Sequence, residues 1–334
     1  MLTIIEELPD GFLEVEAQRL DELLNGPTLI HLAGERPEPL FISIMLHGNE
    51  TTGLLAIQAL LKRYQEHDLP RALSIFVGNV SAAALKQRRL DGQHDYNRIW
   101  TEQGDDQEHQ MSAQVIEQMR QRRVFASIDV HNNTGLNPHY ACINSLAPQF
   151  TRLASLFGRT VVYFTKPDGV QSKAFSALCP AVTLECGQPA NAYGVEHASR
   201  YIETCLKLEQ ISEEPLEQHS IDLFHTVAIV KMPQDTRFGF SNNKTDIELL
   251  SEIDRFNFVE QPAGTRLGIL HKNNARLECI NEAGEEVNEQ YFSYENNHIE
   301  LALPVMPSML TLNEQVIRQD CLCYLMERLA MPQH

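Results

Sequence analysis

An α/β fold, a sheet flanked by helices and followed by a smaller β-rich domain at the carboxyl end, is what this sequence of 334 residues predicts. Three observations carry the reading. As far as about residue 212, short apolar runs alternate with helical segments, the pattern of strands and covering helices in one sheet. An acidic, proline-bearing stretch over residues 209–217 then reads as a linker. Beyond it the apolar runs are short and separated by turn residues. The expected domains are therefore 1–212 and 213–334.

The elements follow in order. Residues 40–46 form a nearly unbroken apolar run, as expected of a strand buried on both faces, and residues 51–65 have the apolar spacing of an amphipathic helix. Residues 73–80, 124–130, 160–164 and 181–184 read as further strands, and segments near 107–122, 146–157 and 195–211 as helices. In the second domain, 226–230, 265–270, 276–280 and 298–303 read as strands; residues 313–330 suit either a helix or a final strand pair. No internal repeat or low-complexity segment is present.

Composition narrows the function. With 43% hydrophobic residues the chain can bury a full core and has length for two domains. A formal net charge of -18 repels phosphate backbones and anionic lipid, so neither nucleic acid nor a membrane surface is expected as a partner. No apolar stretch reaches the roughly 20 residues that span a bilayer, and the start lacks the basic-then-apolar layout of a signal peptide, so a cytoplasmic location is expected. Seven scattered cysteines fit reduced, buried thiols better than a disulfide framework. Cys321-Leu322-Cys323 is too tight for a metal knuckle, and Cys186 reads as packing.

Two fragments carry the chemistry, His47-Gly48-Asn49-Glu50 and Asp129-Val130-His131. Together they offer two imidazoles and one carboxylate, the ligand set of a catalytic zinc that keeps one position open. His47 and Glu50 sit in a strand-to-helix turn, close enough to share one ion. His131 emerges at the carboxyl end of another strand, the edge where ligands collect in open α/β sheets. Taken alone, His47 also suits an ordinary turn, and Glu50 a helix start that favours a carboxylate.

Two further fragments decide between these readings: Asp95-Tyr96-Asn97-Arg98, with Arg88 and Arg89 upstream, and Thr183-Leu184-Glu185-Cys186-Gly187-Gln188-Pro189. The ordered series HGNE, R-x-x-D, D-x-NR, D-x-H-N and LE-x-G-x-P resembles the succinylglutamate desuccinylase/aspartoacylase family, itself similar to zinc carboxypeptidases. The likeness spans about residues 40–190. It implies a zinc-carboxypeptidase-like mixed sheet and one zinc per chain held by His47, Glu50 and His131. It further implies Glu185 as the catalytic carboxylate, Arg88 as a carbonyl-polarising group, and Asn97 with Arg98 as binders of a substrate carboxylate. Because Gln93-His94 reads as a short insertion, Arg89 stays an alternative to Arg88.

The residue types suit those roles independently. Glu185 follows the apolar run 181–184 and so points from a strand end towards the crevice of His131, where a carboxylate can act as general base and then general acid. An arginine aimed at a developing oxyanion stabilises charge present mainly in the transition state, typically by about 3 to 4 kcal/mol. Arg98 offers a planar fork that holds a carboxylate through paired hydrogen bonds. Asp129 either orients a ligand imidazole from behind or only packs. Asn132-Asn133-Thr134-Gly135 either lines the pocket or makes a turn, and His94, His109 and His139 read as surface histidines.

Three function classes follow: a zinc amidohydrolase of N-acyl amino acids, a zinc carboxypeptidase cutting C-terminal peptide bonds, and a binding protein that kept the scaffold without turnover. The motif spelling favours the first, since the extra domain of the resembled family narrows access to small substrates. The partner expected is a small molecule with a carboxylate; homo-oligomerisation stays open. One position departs from the resembled pattern. Relatives carry an arginine ten residues before the catalytic glutamate, where this chain has Phe175, with Lys173 the nearest cation. That departure argues against an aspartyl or succinyl substrate.

Overall fold

The computed structural model describes residues 1–101, 104–240 and 245–331. The chain divides into two compact units, one of residues 1–132 and 139–222, the other of residues 133–138 and 223–330. The acidic stretch around Pro215 lies inside the first unit, and the division falls where a long strand begins.

The first unit holds strands β1 (Thr3–Ile5), β2 (Thr28–Leu32), β3 (Leu40–Ile44), β4 (Leu73–Val77), β5 (Ala126–His131), β6 (Tyr140–Ile143), β7 (Thr160–Tyr163) and β8 (Ala181–Glu185). Its helices are α1 (Leu20–Leu24), α2 (Thr52–Arg63), α3 (Val80–Ala84), α4 (Gln107–Gln121), α5 (Pro148–Ser155), α6 (Gln171–Phe175) and α7 (Ala192–Lys207). The strands run in the order β1-β2-β4-β3-β5-β8-β6-β7. β4, β3, β5 and β8 are parallel, whereas β2 against β4 and β6 against β8 are antiparallel, so the sheet is mixed.

Every residue of β3, β4, β5 and β8 is buried, which is why these segments read as continuous apolar runs rather than as alternation. In register, Ser43 pairs with Asp129 and His131 with Glu185, so the carboxyl ends of β3, β5 and β8 lie side by side. The expected strand over 73–80 stops at Val77. Gly78 and Asn79 follow, and the Asn79 side chain accepts the Ala82 N–H to cap α3. Three strands of this unit went unread in the sequence. β1 and β6 are three and four residues long, and β2 carries a buried histidine, His31, held 2.8 Å from the Ser74 hydroxyl of β4.

The second unit holds β9 (Asp222–Lys231), whose first residue still belongs to the first unit, with β10 (Phe238–Phe240), β11 (Ile247–Leu249), β12 (Arg266–Leu270), β13 (Glu278–Asn281), β14 (Phe292–Ser293), β15 (His298–Leu301), β16 (Met306–Ser308) and β17 (Cys323–Arg328). β9 pairs antiparallel with both β13 and β17, and β17 with β16, while β10-β11-β12-β15-β14 make a separate sheet. Apolar residues of both sheets share one core, including Val230, Leu249, Ile299 and Leu325. The segment 313–330, open in the sequence, divides into a short helix, Glu314–Gln319, and β17. All seven cysteines are buried free thiols. Among the described residues, no helix is long and apolar enough to cross a membrane.

Candidate active site

The turn after β3 is shaped by its backbone. Met45 takes a left-handed φ of 56°, an uncommon conformation for a large side chain, and turns the chain off the strand. At Gly48 a Cβ would lie 2.2 Å from the Ala83 backbone nitrogen, so only glycine lets the 82–88 segment approach this closely. The Gly48 N–H donates to the Arg88 carbonyl at 3.0 Å, which fixes Arg88 beside the turn. α2 starts without a capping side chain of its own. Instead the Thr52 N–H donates to Asn132 Oδ1 at 3.2 Å, and Asn132 Nδ2 donates to Thr52 Oγ1 and to the Gly187 carbonyl. One asparagine thus ties the ends of β5 and β8 to the start of α2.

His47, Glu50 and His131 converge within this frame, each offering a ligand atom within 4.8 Å of the others. The two Glu50 oxygens divide between the imidazoles: Oε1 lies 2.8 Å from His47 Nδ1, and Oε2 lies 2.8 Å from His131 Nδ1. Oε2 also accepts the Asn132 N–H at 3.0 Å. The outer nitrogen of each ring meets a second carboxylate, His47 Nε2 at 2.9 Å from Asp95 Oδ1 and His131 Nε2 at 2.7 Å from Asp129 Oδ2. Asp129 is itself fixed by the Ser43 hydroxyl at 2.6 Å. A carboxylate behind each ring sets its orientation and raises the basicity of the inward nitrogen, the outer arrangement typical of metal-bound histidine.

The electrostatics favour a cation. Burial alone lowers the pKa of both imidazoles, yet the carboxylates around them outweigh it: His47 is raised by Glu50 and Asp95 despite Arg88, and His131 is raised well above its usual value by Asp129 and Glu50. Burial likewise works to raise Glu50 and Asp95, but the imidazoles hold both carboxyls below their ordinary range, with Arg88 adding to the effect at Asp95. With the imidazoles neutral, as metal ligands must be, the carboxylates of Glu50, Asp95 and Asp129 outnumber the Arg88 guanidinium that stands among them. A divalent ion matches both that excess and the N/N/O donor set, so the residues present fit a zinc ion.

The other residues singled out in the sequence lie around this cluster. Arg88 places Nη1 3.3 Å from Glu50 Oε1 and Nη2 3.1 Å from Asp95 Oδ2. Arg89 instead donates to the Gln93 carbonyl at 2.8 Å, so it is Arg88 that stands beside the cluster. Glu185 ends β8 next to His131, an adjacency held by the Cys186 N–H donating to the His131 carbonyl. Burial and the neighbouring Glu185 and Glu50 charges push the Cys186 thiol up, which disfavours a thiolate there. Asn97 brings Nδ2 to 3.2 Å from His131 Nε2 and accepts the Gln171 N–H on Oδ1, while Arg98, half-buried, donates to the Asn97 carbonyl.

The position of Phe175 differs from what its motif spacing suggested. Its side chain is 0% exposed and stacks on Phe41 at 4.5 Å, so it belongs to the core rather than to a pocket wall. Lys173 is held by the Thr165 carbonyl at 2.7 Å and by Asp168. Sequence reasoning gave no role to Asp95 and left those of Asp129 and Asn132 open. For Asp129 the signal was its place two residues before His131 on one strand face; for Asp95, 48 residues from His47, no local signal exists.

Comparison with known proteins gives a consistent picture. The profile of the succinylglutamate desuccinylase/aspartoacylase catalytic domain matches residues 38–211. No curated protein sequence matches the chain. Among solved structures, the succinylglutamate desuccinylase of Chromobacterium violaceum is similar at a TM-score of 0.58 and 16% identity, covering 90% of this chain and 87% of that one. Murine aminoacylase 3 is similar at a TM-score of 0.59 and 15% identity, covering 89% and 97%. A succinylglutamate desuccinylase/aspartoacylase from Rhodobacter sphaeroides gives 0.58 and 14%, covering 90% and 88%. At these identities the structural likeness speaks to the fold.

Proposed function

We propose that this chain, which belongs to the succinylglutamate desuccinylase/aspartoacylase family, is a zinc-dependent hydrolase that deacylates small N-acyl amino acids. The observation that carries the reading is the sharing of Glu50 between two imidazoles whose outer nitrogens are each held by a further carboxylate. In this reading His47, Glu50 and His131 hold one zinc per chain, which when bound supplies Lewis-acid activation of water and of the amide carbonyl. Glu185 accepts a proton from the attacking water and returns it to the leaving nitrogen as the amide bond breaks. Arg88 offers its guanidinium to the oxygen on which negative charge grows. Arg98, with Asn97, holds the substrate carboxylate.

The test is a hydrolysis screen of zinc-loaded protein against N-acyl amino acids and short peptides, read by mass spectrometry. Release of free amino acid from the acylated set supports the proposal; turnover of peptides alone would transfer the site to carboxypeptidase chemistry. Within the acylated set, derivatives of leucine, phenylalanine and alanine are expected to exceed N-acetylaspartate and N-succinylglutamate in kcat/KM. The support is that neither position singled out for a second substrate carboxylate offers it a cation: Phe175 is packed on Phe41 in the core, and Lys173 is held by the Thr165 carbonyl and Asp168. A preference for the acidic substrates that survives Lys173→Ala would reject this specificity.

Arg98→Ala is expected to weaken substrate binding by about 1.5 to 3 kcal/mol, the worth of a charge-assisted contact made in ground state and transition state alike. Steady-state kinetics should therefore show KM rising by roughly ten- to a hundredfold while kcat changes little. A fall confined to kcat would remove Arg98 from the binding role.

A further inference from the structure

A second cluster of metal-ligating side chains stands apart from the residues assigned above. His94, Asp106 and His109 each bring a ligand atom within 4.8 Å of the others, although they come from two separate segments of the chain. Each histidine taken alone reads as a surface residue. Their meeting is a product of the fold.

The carboxylate of Asp106 divides its work. Oδ1 caps α4, accepting the backbone N–H groups of Glu108 and His109 at 3.0 and 3.1 Å. Oδ2 is turned towards the imidazoles, 2.7 Å from His109 Nδ1 and 3.4 Å from His94 Nε2. Helix capping accounts for the first oxygen and a simple ion pair for one histidine. Neither accounts for the second imidazole nitrogen directed at the same oxygen. The rings stand nearly edge to face, at 77° with centroids 5.3 Å apart, so they converge without stacking.

Two backbone features hold the cluster together. Glu108 Oε2 accepts the His94 N–H at 3.2 Å, which fastens His94 to the first turn of α4. Gly104, at φ 130°, lies where a Cβ would meet the His109 ring at 2.3 Å, so the backbone can close over that imidazole only because 104 is glycine. His94 and Asp106 remain open to solvent, with side-chain exposures of 55% and 43%, which leaves an approach for an ion and for waters completing its shell.

We propose that His94, Asp106 and His109 form a second divalent transition-metal site, taking zinc or an ion of similar preference, that clamps the segment bearing Asp95, Asn97 and Arg98 to the start of α4. Two imidazoles and one carboxylate oxygen suit borderline ions over calcium or magnesium, which favour oxygen-only shells. His94 immediately precedes Asp95, so an ion held there restrains the stretch of backbone that positions the outer carboxylate of His47. This site is independent of the ion assigned to His47, Glu50 and His131.

The experiment is a calorimetric zinc titration of the full chain already carrying one zinc equivalent, with hydrogen exchange followed at residues 94–98. A further saturable binding event is expected in the unmodified protein. It should be at least about tenfold weaker in His94→Ala, since loss of an outer-sphere partner alone costs 10- to 100-fold and this variant removes a direct ligand. His94 is exposed enough for the variant to keep its fold, and His109→Ala should reproduce the loss. Zinc should slow exchange of the 94–98 amides in the unmodified protein and not in His94→Ala. An identical titration of unmodified protein and His94→Ala overturns the site; loss of binding without any difference in exchange overturns the clamp.

Discussion

Glu185→Gln is expected to retain the bound metal, the melting temperature and substrate affinity while kcat falls by about 10²- to 10⁴-fold, the usual contribution of a positioned general base. Glutamine fills the same space at the end of β8, and the backbone bond from Cys186 to His131 does not involve the side chain, so the adjacency of the two strand ends persists. What is lost is proton acceptance: an amide oxygen cannot take a proton from attacking water and return it to nitrogen. The loss corresponds to about 3 to 5 kcal/mol of transition-state stabilisation. Metal content and thermal denaturation supply the controls. A variant turning over at the unmodified rate would remove Glu185 from catalysis and leave it as a strand-end residue.

The parts of this site that were legible in the sequence are those in which fold and chemistry share one local segment. The HGNE turn could be read because β3 is buried on both faces and α2 is amphipathic, so the change of period marks the turn itself. Glu185 was legible for the same reason, at the end of an apolar run. Apart from the meeting of His131 with the HGNE turn, which the ordered motif series implied, contacts between distant segments were not. Asp95 reaches His47 across 48 residues, and nothing local to Asp95-Tyr96-Asn97-Arg98 specifies which histidine it meets. That Arg88 and not Arg89 stands beside the cluster follows from the contact of Arg88 with Glu50, 38 residues away and likewise long-range. Phe175 shows the opposite error. Its place in the motif pointed to the substrate, whereas its chemistry, a large apolar ring beside Phe41 and Trp100, belongs to the core.

Removing a proposed metal ligand should have a still broader effect than removing the proposed base. His131→Ala is expected to lose the ion held with His47 and Glu50, leaving at most the weaker occupancy of the His94, Asp106 and His109 cluster, to abolish turnover, and to lower stability. The ring bridges Glu50 and Asp129, its Nδ1 facing one carboxylate and its Nε2 the other. Alanine leaves both carboxylates buried with a missing partner, Asp129 retaining the Ser43 hydroxyl and Glu50 retaining His47, Arg88 and the Asn132 N–H. Breaking a buried charge pair from one side costs about 3 to 5 kcal/mol, of which the surviving contacts recover part. Asp129→Asn provides the graded comparison. It keeps the imidazole and its inward nitrogen but weakens the partner behind it, so metal affinity should fall by 10- to 100-fold without complete loss, the range found for changes behind a metal-bound histidine. Metal analysis by mass spectrometry together with a competitive chelator titration gives both results. Full metal content in His131→Ala would exclude His131 as a ligand, and equal affinities in Asp129→Asn and the unmodified protein would reduce the Asp129 contact to packing.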